Sequence, residues 1–439
     1  MNVRTRTWEP PESIDRDAVI ASSRAVLAMQ SIPITEREDV FRIATLGLDW
    51  DIGVQVYEPT GEIARGADGK KVGCFLMHGG SGDYKSIEKF ARLFAEKFRF
   101  KVVSMTFPGR LNLEDPARDW PGDTIGSDGS VRTPIWLSGE HIGREEYDVV
   151  RDQSNRVKYG TRTLARAKPG TRFYDRMAAW PAAFEDGMKE ACRRHFPSGE
   201  FSIYAHGHST GGPFIALLSQ RVDNLAGVLA LEMSIFGYIM VAKEKWAGGL
   251  GVHDPFTDLY IRTWRDLARY RGPEALGQEG AQALNRLPWL MEEVHDAWDA
   301  GKSRPQFKAE YIVTEAVAPS LEEAARACAV RLKLDRAGTQ SLIDRYLGYG
   351  RELSGPNVKP LPPFLFAIAK DSRDNPAPAY EAVILPMLRE IQPAPKLALT
   401  RFGAGVHVYV KPENDLPIGI APSAAQLYHD AIVNGFFDV

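Results

Sequence analysis

The chain has 439 residues, 44% of them hydrophobic and 25% charged, with a formal net charge of -3 at neutral pH. This is the composition of an ordinary globular protein, long enough for one enlarged α/β domain or two smaller ones. Its charge balance supplies neither the basic footprint that nucleic acid requires nor a polyanionic tail.

Three scattered cysteines, Cys74, Cys192 and Cys328, are too few for a disulfide framework or a zinc site. They read as small buried apolar residues in a reducing compartment. Residues 1–17 are polar, are broken by Pro10 and Pro11, and lack the apolar run of a secretory signal. No stretch reaches the roughly 18 apolar residues of a membrane span. The expectation is a cytoplasmic protein with a small-molecule substrate; homo-oligomerisation is left open.

Residues 1–38 read as an N-terminal extension, with a short helix over 17–30 standing apart from the core. Residues 40–46 and 52–57 have β-like patterns and suggest an antiparallel hairpin turning at Asp49-Trp50-Asp51. The glycine-rich turn over 61–71 lacks the Gly-Lys-Ser/Thr ending of a phosphate loop. Residues 72–77 are continuously apolar, as a buried strand should be, and end in His78-Gly79-Gly80. Ile87, Phe90, Phe94 and Phe98 then line one face of a helix, and residues 102–107 form another buried strand.

Residues 111–171 carry many turn formers and little periodicity, which predicts an irregular insertion. Met177, Trp180, Phe184, Met188 and Cys192 mark a long helix with a kink expected at Pro181. A strand follows, running into Gly207-His208-Ser209-Thr210-Gly211 and a further helix. After the strand at 227–232, residues 233–360 are helical in pattern and rich in aromatics, among them Trp246, Tyr260, Trp264 and Trp289. This block interrupts the alternation of strand and helix and reads as an inserted helical cap. Alternation resumes with a strand at 363–369, a helix over 380–389, a strand at 396–400 and a terminal helix over 424–437.

Such a chain predicts an α/β fold with a mainly parallel sheet flanked by helices. Ligands bind such sheets beyond the carboxyl ends of the strands. Gly207-His208-Ser209-Thr210-Gly211 fits that place, since a Gly-x-Ser-x-Gly turn between strand and helix holds a serine hydroxyl up as a nucleophile. With the His78-Gly79-Gly80 turn and a late acid and histidine, residues 39–439 resemble the α/β-hydrolase superfamily. The resemblance implies a core over 39–232 and 361–439, with the cap at 233–360.

The resemblance also implies the triad order nucleophile, acid, histidine. Ser209 would be the nucleophile, inert until a base takes its proton. His407 would be that base, on a glycine-bearing loop after the last strand, whereas His429 lies inside the terminal helix and reads as a surface residue. Three residues compete for the acid. Asp374 is favoured, a few residues past a strand with Pro376 and Pro378 behind it; Glu232, ending an apolar strand, and Asp371 are the alternatives. The oxyanion hole would draw on the amides of Thr210 and of Gly80 or Gly79. His78 reads as structural, and His206 and His208 as buried, hydrogen-bonded residues.

No His-Glu-x-x-His, Cys/His cluster or early Gly-x-Gly-x-x-Gly is present, so neither a metal nor a cofactor is expected. The activity implied is hydrolysis of a carboxylic ester of a small, apolar or aromatic substrate through an acyl-enzyme. Carbon–carbon bond hydrolysis on the same triad, or a non-catalytic binding protein of the same fold, are the alternatives.

Overall fold

Apolar runs without polar alternation build the middle of a nine-stranded sheet, as expected of strands covered on both faces. The computed structural model describes residues 8–79, 83–106, 108, 143–152, 162–168, 170–209, 211–216, 222–233, 326–330, 332–347, 361–372, 377, 380–381, 385–389 and 394–438.

In chain order the first half carries β1 (Ser13–Ile14), α1 (Arg16–Ala28), β2 (Ile34–Thr45), β3 (Leu48–Pro59), β4 (Lys71–Met77), α2 (Glu88–Arg92), β5 (Lys101–Met105), β6 (Tyr147–Asp152), β7 (Arg162–Ala167) and α3 (Arg172–His195). The second half carries β8 (Phe201–Gly207), α4 (Gly211–Ala216), β9 (Leu225–Leu231), α5 (Arg336–Leu347), β10 (Phe364–Ile368), α6 (Leu385–Arg389), β11 (Leu397–Phe402), β12 (Pro417–Ile420) and α7 (Ala421–Val433). The sheet order is β1-β11-β10-β9-β8-β4-β5-β3-β2. Every neighbouring pair is parallel except β2/β3 and β3/β5.

This order makes β8 central, flanked by β4 and β9, and gathers the carboxyl ends of β4, β8, β9, β10 and β11 at one rim. On one face, α2, the π-helical turn after it (Leu93–Lys97) and α7 bury Phe90, Phe94, Leu427 and Tyr428 against the sheet. On the other, α3 packs beside the hairpin and buries Phe184, Met188 and Cys192. It runs unbroken through Pro181.

Three expectations change. The hairpin turns at Leu46-Gly47, both at positive φ (51° and 71°), as a tight two-residue hairpin turn requires. Asp49-Trp50-Asp51 instead lies within β3: Trp50 is fully buried, and Asp51 binds Arg42 across the hairpin at 3.0 Å. The N-terminal helix does not stand apart. Asp15 caps it by accepting from the Ala18 amide (2.8 Å), and Val19 and Val26 are buried against α7. The residues before it add β1 to the sheet beside β11. Within 111–171, β6 and β7 pair as an antiparallel ribbon whose register sets Asp148 opposite Arg166 and Asp152 opposite Arg162. Neither segment alternates apolar and polar residues, which is why periodicity does not reveal the ribbon. Most of the cap expected over 233–360 lies outside the described residues; α5 falls within it.

Candidate active site

Ser209 sits where the chain turns from β8 into α4, with φ at 51°, in the left-handed region that an elbow imposes on its apex. The glycines around it are required by contact. A Cβ on Gly207 would lie 2.4 Å from the Gly211 carbonyl oxygen, and one on Gly211 would lie 2.4 Å from that of His78. The Ser209 amide donates to the Glu232 carbonyl (3.0 Å), tying the elbow to the end of β9. Glu232 also has positive φ (56°), so two side chains are turned out of adjacent strand ends.

The Glu232 side chain is fully buried. A buried carboxylate is tolerated only when paired and hydrogen-bonded, and among the described residues three donors meet this one. The Ala369 amide binds Oε1, while the Ser372 hydroxyl and His407 Nδ1 (3.2 Å) meet Oε2. His407 Nε2 lies 3.0 Å from Ser209 Oγ. With Nδ1–H directed at the carboxylate, Nε2 is left as the acceptor of the serine proton.

Thus Ser209, His407 and Glu232 are brought together. The Nδ1 position reserved for Asp374 is filled by Glu232, an alternative in the sequence reading; Asp374 lies outside the described residues. Asp371 is exposed, and its amide, rather than its carboxylate, is used: it donates to the Gly405 carbonyl (3.1 Å). The loop after β10 supplies hydrogen-bond donors through Ala369 and Ser372. Ser372 carries no signal of its own in the sequence, although it lies beside Asp371.

The histidine loop is shaped by its glycines. Gly405 has φ at 90°, and a Cβ on Gly403 would lie 2.7 Å from the Arg16 amide nitrogen. His206 is fully buried; its ring meets the Leu229 carbonyl (2.9 Å) and the Tyr409 hydroxyl (3.1 Å), and burial lowers its pKa to about 3. His208 Nε2 donates to the His407 carbonyl (2.9 Å). Its pKa is likewise lowered to about 3, first by desolvation and then by the neighbouring His407. His78 is fully buried, with Nδ1 2.6 Å from the Gly79 carbonyl oxygen.

Gly79 lies beside Ser209: a Cβ there would be 3.2 Å from Ser209 Cβ. Thr210 and Gly80 lie outside the described residues. Among the described residues no group of His, Cys, Asp and Glu could hold a metal ion, and no helix is long and apolar enough to cross a membrane. A groove of about 610 Å³ lined by Asp186, Lys189, Arg193, Phe196 and Asn224 sits beside the segments leading into β8 and β9, at the sheet end opposite Ser209.

No protein-family model and no curated protein matches the chain. Solved structures with similarity include the acylaminoacyl peptidase of Pyrococcus horikoshii, at 11% identity and a TM-score of 0.37 over 90% of this chain. This chain spans 41% of that peptidase. Vibralactone cyclase is 13% identical with a TM-score of 0.38, covering 94% of this chain and 84% of its own. An ester hydrolase from the metagenome of Lake Arreo is 13% identical with a TM-score of 0.36, covering 94% and 88%. Strand order, the serine elbow after β8 and the chain order of the hydrogen-bonded Ser209, Glu232 and His407 give this chain the α/β-hydrolase fold.

Proposed function

We propose that the chain is a serine hydrolase that cleaves a carboxylic ester of a small, apolar or aromatic substrate. The observation that carries this reading is the continuous relay Ser209 Oγ–His407 Nε2 (3.0 Å) and His407 Nδ1–Glu232 Oε2 (3.2 Å). The first distance suits proton transfer, and the second a hydrogen bond that holds the ring.

His407 takes the Ser209 proton as Oγ attacks the ester carbonyl. Glu232 holds the imidazole in the Nδ1–H tautomer and stabilises the imidazolium that forms. The oxyanion is received by amides of the elbow and the glycine turn, for which Thr210 and Gly80 or Gly79 are the candidates. His407 then protonates the departing alcohol, leaving an acyl group on Ser209. Water, deprotonated by the same imidazole, adds to the acyl carbonyl; the adduct collapses, releasing the acid and restoring Ser209. The apolar preference is supported by the aromatic content of residues 233–360 and by Val408, 47% exposed beside His407.

A fluorophosphonate probe tests the nucleophile. Labelling of the wild type that vanishes in Ser209→Ala is expected, and folded wild type that takes no label refutes the reading. Hydrolysis of p-nitrophenyl esters of rising chain length then locates the preferred acyl group.

A further inference from the structure

We infer that His208 is a positioning residue: by donating Nε2–H to the carbonyl of His407, it fixes the height of the imidazole above Ser209. This rests on the hydrolase reading above.

A backbone carbonyl can only accept, so the 2.9 Å contact places the His208 proton on Nε2. The other nitrogen, Nδ1, then faces the glycine turn, where a Cβ on Gly79 would come within 3.2 Å of it. His208 also touches the histidine loop a second time. Its ring lies edge-on to Tyr409, with centroids 5.0 Å apart, and 5.0 Å from the ring of His407. Tyr409 is anchored in turn, its hydroxyl on His206 Nε2 (3.1 Å) and its ring edge-on to Phe90 at 5.1 Å.

These contacts join residues 199 apart in the chain. His208 precedes the nucleophile directly, so the elbow that presents Ser209 is bonded to the backbone of the residue that must take its proton. A displacement of either is shared by the other. Proton transfer and attack depend on reacting atoms held close and aligned, and a misplacement of about 1 Å costs on the order of 100-fold.

The geometry disfavours a role for His208 as the base. Its Nε2 is engaged with a carbonyl, and Ser209 Oγ is already met by His407. Burial and the neighbouring imidazole also disfavour its protonation.

The test compares His208→Phe, which keeps a ring but removes the donor, with His208→Gln, whose amide nitrogen reaches the Nε2 position. His208→Phe should lower kcat about 10- to 100-fold with KM within about twofold. His208→Gln should recover most of the loss, and the acid limb of its kcat/KM profile should keep the wild-type midpoint. Far-UV circular dichroism and thermal melts verify that both variants are folded. Folded His208→Phe with wild-type kcat, folded His208→Gln no better than His208→Phe, or loss of the acid limb in His208→Gln would each overturn the inference. If His208→Phe does not fold, the result for His208→Gln decides alone: a moved or absent acid limb, or a kcat lowered 10-fold or more, overturns it. Absence of fluorophosphonate labelling in the wild type would instead overturn the hydrolase reading, which separates the two failures.

Discussion

Replacing Glu232 by glutamine changes one atom and should nearly abolish turnover. The carboxylate accepts on both oxygens, from the Ala369 amide on Oε1 and from Ser372 and His407 on Oε2. Glutamine can keep its oxygen toward the Ala369 N–H, in which case its amide nitrogen faces His407 Nδ1. Two donors cannot bond, so Nδ1 must become the acceptor and the ring proton moves to Nε2, the atom that must accept from Ser209. Loss of tautomer control of this kind lowers kcat by about 10⁴-fold, or roughly 5.4 kcal/mol of transition-state stabilisation at about 1.36 kcal/mol per tenfold. If the amide turns the other way, its nitrogen opposes the Ala369 N–H, and a buried donor goes unsatisfied at a cost of about 1–3 kcal/mol. The assay is p-nitrophenyl ester hydrolysis beside thermal melts, with Asp374→Asn and Asp371→Asn in parallel. Glu232→Gln within tenfold of wild type, with Asp374→Asn down by a thousandfold, would refute the reasoning.

Four further outcomes are expected. Ser372→Ala removes one donor to the Glu232 carboxylate and should lower kcat about tenfold, as hydrogen bonds to charged groups are worth about 1.5–3 kcal/mol; steady-state kinetics at fixed pH checks it, and unchanged kcat counts against it. Gly211→Ala drives a Cβ to 2.4 Å from a backbone oxygen of His78 and should destabilise the fold by about 1–3 kcal/mol, read by urea denaturation. Gly403→Val should push the Asp15–Arg16 backbone off β11 and lower both the melting temperature and kcat, because the N-terminal segment braces the root of the histidine loop through Gly403 N–Ile14 O and Arg401 N–Glu12 O. His206 and His208 have folded pKa values near 3, below the roughly 6.5 of an unfolded histidine. The unfolded chain therefore binds more protons between those values, so their contribution to stability is complete above about pH 6.5 and is lost as pH falls toward 3. Urea midpoints should drop from pH 7 to pH 5, and less steeply in His206→Phe.

What the sequence makes legible here is local. Gly207 to Gly211 is readable because strand, turn and helix are contiguous, and because steric contact with Gly211 and His78 dictates glycine at fixed offsets from Ser209. The choice of acid is not local. Asp374 and Glu232 both follow apolar strands; what separates them is which strand end adjoins Ser209, and that depends on the order of strands in the sheet. Turn placement in the hairpin fails for a related reason: Asp49 and Asp51 look like turn formers until Arg42, nine residues from Asp51, is seen across the ribbon. The N-terminal helix exposes most of its surface, and Val19 and Val26, with Ile20 packed beside them, reveal that it joins the core.

The position of Glu232 at the end of β9 also accounts for how the rest of the site is held. Ser209 and Glu232 end adjacent strands, and a backbone hydrogen bond between them fixes their separation. Each is in a left-handed conformation that costs of order 1–3 kcal/mol and persists only where the surroundings over-determine it. His407 has no such support from its own strand, since β11 is two places from β9 in the sheet. Its loop must be brought over and secured from outside: by the Asp371 amide on Gly405, by Tyr409 on His206, and by His208 on the carbonyl of His407 itself. The loop after β10 braces both Glu232 and the histidine loop, through its amides and the Ser372 hydroxyl. On the proposed function, Ser209 and Glu232 are therefore positioned by the sheet and His407 by loops, so substitutions that spare the fold but disturb His407 should appear in kcat before they appear in KM.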